Sequence, residues 1–170
     1  DRPFSIGKIK SFYGHFGVIL KAYVYILAMG REGLKEVSQQ AVLNANYMMK
    51  RLKEYYRLPI DGVCMHEFVL AGLKNNGNSV TTLDIAKRIL DYGFHPPTIY
   101  FPLIIQEAMM VEPTETESLE SINAYIDALI QIAKEAKDDP ERLKKAPYTT
   151  PVRRIDEVTA ARKPILKWQK

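Results

Sequence analysis

The chain has 170 residues, 46% of them hydrophobic, with 24 lysines and arginines against 20 aspartates and glutamates. That length suits one compact domain burying roughly 70% of the surface that its unfolded chain exposes. The single cysteine, Cys64, excludes an intrachain disulfide and argues against a cysteine-ligated metal site, so a reducing cytoplasm is the expected compartment.

The first predicted element, Phe12–Met29, is apolar or aromatic at nearly every position, which in a helix means burial on most sides. Such a helix needs partners. Its most apolar stretch, Gly17–Gly30, is too short for a membrane span and contains Lys21, and no signal peptide precedes it; no membrane is expected. Gly14 and Gly17 mark either a close approach of another backbone or the start of the helix. The chain opens on Asp1 and enters apolar sequence within a few residues, as a piece of a longer polypeptide would.

Residues 30–56 carry Leu34, Val37, Ala41, Ala45, Met48 and Leu52 at spacings of three and four, with Lys35, Glu36, Gln39, Lys50 and Lys53 elsewhere. This predicts an amphipathic helix, with Tyr47, Met48 and Met49 as core and rim packing. After the break at Pro59, Asp61 and Gly62, "CMHEFVLAG" (64–72) reads as a strand and "LKNNGNSV" (73–80) as turns. Thr81 with Asp84 opens the next helix, in which Ala86, Ile89 and Leu90 share a face and Gly93 supplies the stop.

There follows "GFHPPTIYFP" (93–102). Two prolines fix φ and keep the residue before them out of the α region, so the chain must leave the helix extended, with His95 held rigidly. "TIYFP" (98–102) and "AMMVEP" (108–113) read as two strands around "LIIQE". Thr114-x-x-Glu117 predicts a capping box for a long helix with the face Leu119, Ile122, Ile126, Leu129 and Ala133, and Tyr125 and Ile130 beside it. Glu115, Glu117 and Glu120 suit the positive end of that helix dipole. A short basic helix follows Asp139-Pro140, then a proline-punctuated arm. Residues 107–140 hold 2 basic and 9 acidic side chains, whereas residues 141–170 hold 9 and 3. A basic tail beside an acidic helix can pair internally, dock on an acidic partner or touch nucleic acid. No nucleic-acid module accompanies the charge, and no nucleic-acid partner is expected.

The element order predicts an α+β or α/β layer packed on one side of a small sheet. His15, His66 and His95 are the only histidines, none at i, i+4 spacing, and no metal site is expected. His66 and Glu67 at the head of a strand would point to opposite faces. Glu112 before Pro113 reads as a general base or as a capping or salt-bridging carboxylate. No Gly-rich phosphate cradle or Gly-x-Ser-x-Gly elbow is present, and Cys64 has no evident activating partner. His95, in its proline-fixed loop, is the strongest candidate for function.

Several strings go beyond composition: "SIGKIKSFYGHFGVILKAYVYILAMGREGLKEVSQQAVLNANYMMKRL", "MHEFVL", "TLDIAKRILDYGFHPPTIYFPLIIQEAMMVEPTETES" and "APYTTPVRRIDEVTAARKP". Together they resemble the C-terminal part of the second subunit of the two-subunit glycine dehydrogenase (decarboxylating), the P-protein of the glycine cleavage system. One departure is His15, where the family usually has asparagine. The resemblance implies the small α/β (α+β) domain of a fold-type-I pyridoxal-phosphate oxidoreductase, a small sheet covered by long helices.

It further implies that glycine is decarboxylated and its aminomethyl group passed to the lipoyl arm of H-protein. Pyridoxal phosphate would be bound mainly by a large domain upstream, together with the Schiff-base lysine, so no catalytic or cofactor-binding residue is assigned here and the segment alone is expected to be inactive. Implied partners are subunit 1, in a heterotetramer, and lipoylated H-protein. On this basis residues 1–56 are long helices leading from the large domain, 57–146 the small domain and 147–170 a basic arm. His95, Thr98 and His66 are the substrate-pocket candidates. The alternative is a non-catalytic interaction module that docks through its acidic helix and basic tail.

Overall fold

The computed structural model describes residues 2–75 and 79–168, in two compact units, residues 1–39 and 40–170. Asn76–Asn78 of the predicted turn and the last two residues of the arm lie outside the described residues.

Helix α1 (Phe16–Leu52) is interrupted at Gly30, whose φ of 64° and ψ of −174° are not helical, so the two predicted helices appear as two segments of one element. The first starts later than Phe12 because His15 occupies the cap: its carbonyl accepts from the amides of Val18 and Ile19, and its Nδ1 from Val18 N at 3.4 Å. An asparagine would serve this position well, since short polar side chains favour the N-cap. A Cβ added at Gly14 would meet Ile19, and one at Gly17 would meet the His15 ring, so both glycines belong to the helix start. Val18, Ile19, Tyr23, Ile26 and Leu27 are exposed.

The second unit contains the rest of α1, then β1 (Phe68–Ala71), α2 (Thr82–Asp91), β2 (Thr98–Ile99), β3 (Ala108–Val111), α3 (Leu119–Asp138), α4 (Pro140–Lys144) and α5 (Glu157–Arg162). The sheet is antiparallel in the order β1-β3-β2, with Phe68 opposite Val111 and Thr98 opposite Met110. This is the α+β form of the predicted layer. Leu52, Leu70, Ile85, Ile89, Met109, Ile126, Leu129 and Ile132 are fully buried in one core. Tyr56 lies among them and donates its hydroxyl to Leu129 O at 2.8 Å, which satisfies a phenol that burial keeps un-ionised.

The Thr81–Asp84 capping box forms as predicted, each side chain bonding the other's amide. Gly93 (φ 79°) ends α2: its N–H donates to Leu90 O and that of Phe94 to Ile89 O, the paired bonds of a Schellman motif. The core face of α2 is Ile85, Ala86 and Ile89, with Leu90 only half-buried.

Three expectations need correction. The cap of α3 is Ser118, whose side chain accepts from Ser121 N, and Thr114–Glu117 is instead a turn closed by Glu117 N donating to Thr114 O. Leu119, one residue inside the helix, is therefore exposed, and the buried face continues through Ile132 and Ala136. The strands are shorter than predicted: β2 stops before Tyr100, whose φ of 58° leaves the β region, and His66 and Glu67 precede β1.

A buried ionic cluster ties α2 to α3. Arg88 Nε and Nη2 reach the two Glu135 carboxylate oxygens at 2.8 and 3.1 Å, and Nη1 reaches Asp91 at 2.9 Å. Tyr92 donates its hydroxyl to Glu135, and Asp91 accepts from the backbone N–H groups of Tyr148 and Thr149, drawing the following loop onto the helix.

Candidate functional site

The proline-fixed loop forms one wall of a groove of about 530 Å³. Its position follows from local chemistry: the Gly93 stop turns the chain, and Phe94 packs edge-on to Tyr125 of α3, ring centres 5.3 Å apart and planes at 85°. With Phe94 anchored, Pro96 and Pro97 carry the chain extended into β2. His95 and Thr98 are left exposed along the groove.

Met110–Thr114, from the neighbouring strand and the turn after it, also line the groove, over a floor of Met48, Ile122 and Tyr125. The Thr114 carbonyl is fixed by the buried Asn44 side chain at 3.0 Å, itself held by Gln40 at 2.7 Å. Glu117 accepts from Ser121 Oγ at 2.7 Å, and both line the groove. Burial pushes the Tyr125 phenol well above its usual range, so at neutral pH the hydroxyl is a neutral group.

The structure therefore brings His95 and Thr98 together on one wall. His66 is not part of the lining; its Nε2 lies 3.7 Å from Glu112 Oε1, and Glu112 does line the groove. Glu112 thus faces an imidazole at the groove's edge. The sequence reading missed Glu117, Ser121 and Tyr125. A motif-level signal existed only for Glu117, where the Thr-x-x-Glu spacing was read as a cap.

Among the described residues no lysine or arginine lines this groove, and its only carboxylates are Glu112 and Glu117. It offers no cation for a cofactor phosphate and no amine for a Schiff base, so the residues present do not fit pyridoxal phosphate as a primary site. The groove instead sets the exposed polar side chains of His95 and Thr98 beside Met48, Ile122 and Tyr125. Among the described residues no set of three metal-ligating side chains gathers, and no helix is long and apolar enough to cross a membrane.

A solved structure of glycine decarboxylase, the P-protein of the glycine cleavage system, shares this fold with a TM-score of 0.58 and 25% identity, covering 66% of this chain and 25% of that one. The class is thus that of a domain with the fold found in part of a glycine decarboxylase. The family model described as glycine dehydrogenase, C-terminal domain, matches residues 37–149. Proteins described as probable glycine dehydrogenase (decarboxylating) subunit 2 are 64% identical in Caldanaerobacter subterraneus and 66% in Alkaliphilus oremlandii, over all of this chain. The chain belongs to the glycine dehydrogenase (decarboxylating) family, and it spans 35% of the length of these relatives.

Proposed function

We propose that the chain is the closing, C-terminal part of a pyridoxal-phosphate glycine decarboxylase that passes the aminomethyl group of glycine to the lipoyl arm of H-protein. The observation that supports this most is the family match across residues 37–149, joined to 64–66% identity along the whole chain. The bound cofactor would act as electron sink for the carbanion left by carbon dioxide loss. It would be held by residues outside this chain, in a larger domain leading into residues 1–56, with 57–146 as the small domain and 147–170 as an arm. The assembly would be a cytoplasmic heterotetramer with subunit 1.

This chain's part is positioning. His95 and Thr98 present hydrogen-bonding groups on a wall made rigid by Pro96, Pro97 and the Phe94–Tyr125 contact, above Met48, Ile122 and Tyr125. Glu112 and Glu117 repel the glycine carboxylate, so the cation that anchors it lies outside this groove.

Purified full-length chain with subunit 1, pyridoxal phosphate and lipoylated H-protein is expected to exchange labelled bicarbonate into glycine. A cofactor-loaded assembly without glycine-dependent exchange would overturn the function.

A further inference from the structure

Two asparagines of α1 hold the segment that leads into β1 and the segment that leaves β3. Asn44 is buried, and its Nδ2 donates to Thr114 O at 3.0 Å, two residues beyond Glu112. A carbonyl only accepts, so the amide presents its nitrogen there and its oxygen to Gln40, which donates to it at 2.7 Å. Thr114 O also takes the Glu117 amide at 3.3 Å, so one carbonyl closes the turn that carries both carboxylates of the groove. Asn46 holds the other segment: its Nδ2 donates to Cys64 O at 2.8 Å and its Oδ1 accepts from Cys64 N at 3.0 Å, two residues before His66.

The two anchored segments meet at the groove's edge. His66 Nε2 lies 3.7 Å from Glu112 Oε1, although these side chains are 55% and 57% exposed. An exposed pair of this kind is weak by itself, whereas fixing the backbone beside each partner from one helix keeps the two side chains within reach. Every bond in this frame joins residues between 40 and 117 to one another, so it holds whatever covers the surface. The fixed carboxylate has a use as well. Glycine is a zwitterion, and the charge that turns its carboxylate away from the groove draws its ammonium end in.

We infer, resting on the function proposed above, that Asn44 and Asn46 are positioning residues that act through Glu112 to orient the ammonium end of the amino-acid substrate at the groove. The test is steady-state kinetics of the assembled full-length enzyme with glycine varied. It compares the wild type, Asn44→Leu, Asn46→Leu and Glu112→Gln, and each asparagine variant combined with Glu112→Gln. Gln40 and Thr114 are exposed, so water can take the bonds that Asn44→Leu gives up.

The expected result is that each single variant lowers kcat/KM for glycine by about fivefold or more. Once Glu112→Gln is present, neither asparagine substitution should change it by more than about twofold, because residues that work through one group are not additive. In Asn44→Leu the Glu117 amide should exchange its hydrogen faster while the buried amides of α3 do not. Fully additive losses in the combined variants would overturn the inference, since the asparagines would then act on the fold and not through Glu112. Unaltered kcat/KM in the single asparagine variants, or an unaltered Glu117 amide, would overturn it too. A wild type without glycine turnover would remove the proposed function and the inference with it, whereas normal wild-type turnover with additive losses removes the inference alone.

Discussion

Replacing Arg88 by methionine is expected to destabilise the second unit by about 3–5 kcal/mol, the cost of removing one partner from a buried ion cluster. The Arg88 side chain is 8% exposed, and those of Glu135 and Asp91 are 11% and 2% exposed, so the two carboxylates would lose the guanidinium that pairs with both, leaving Glu135 only the more distant charge of Arg142. Two of the Asp91 bonds hold the backbone of Tyr148 and Thr149, so the arm's root should loosen as well. Urea-dependent hydrogen exchange of the α2 and α3 amides in the full-length chain would measure both effects.

The same cluster gives a pH dependence of definite sign. Burial raises the Glu135 and Asp91 carboxyls, but hydrogen bonds outweigh it: those from Arg88 and Tyr92 to Glu135, and those from Thr149, Tyr148 and Arg88 to Asp91. Both net shifts are downward from ordinary values of 4.5 and 3.8. A depressed carboxyl contributes stability that is fully present above the unfolded value and is lost as pH falls through the folded one. Wild-type stability should therefore decline as pH drops below 4.5, and the gap between wild type and Arg88→Met should narrow there, since protonation relieves the stranded carboxylates.

Ile122→Ala is expected to cost roughly 2–3 kcal/mol, toward the low end for deleting a buried isoleucine because the space opens toward the groove and is not a sealed cavity. Ile122 is 3% exposed and belongs both to the core cluster and to the groove lining. The substitution deepens the floor beneath His95 and Thr98 without touching a polar group. The same exchange experiment, read at the α3 amides, would give the cost.

Features fixed by neighbours in sequence were legible. The Thr81–Asp84 box and the Gly93 stop each depend on residues within one helical turn, where the choice of side chain settles the backbone. The start of α3 was misread for the same reason: Thr114-x-x-Glu117 satisfies the local pattern, but Ser118 competes four residues later and takes the cap. Features joined over long separations were not legible. Asn44 with Thr114, Arg88 with Glu135 and Asp91 with Thr149 lie 70, 47 and 58 residues apart, and nothing in either local stretch announces its partner.

The groove shows the same division. His95 and Thr98 could be singled out because prolines and a glycine fix their loop, whereas the Tyr125 ring that anchors Phe94 comes from a helix 31 residues further on and reads locally as one more apolar face. The family resemblance supplied the chemistry but not this geometry. The Glu112 and Glu117 carboxylates then decide what the groove repels.

The most direct test of the proposed place of the groove beside a reacting centre is steady-state kinetics of His95→Ala in the assembled enzyme, with glycine varied. The expected result is a fall of at least tenfold in kcat/KM for glycine, with hydrogen exchange of the α2 and α3 amides unchanged. Unaltered turnover and an unaltered KM would contradict it and reduce the Gly93–Thr98 segment to a connector.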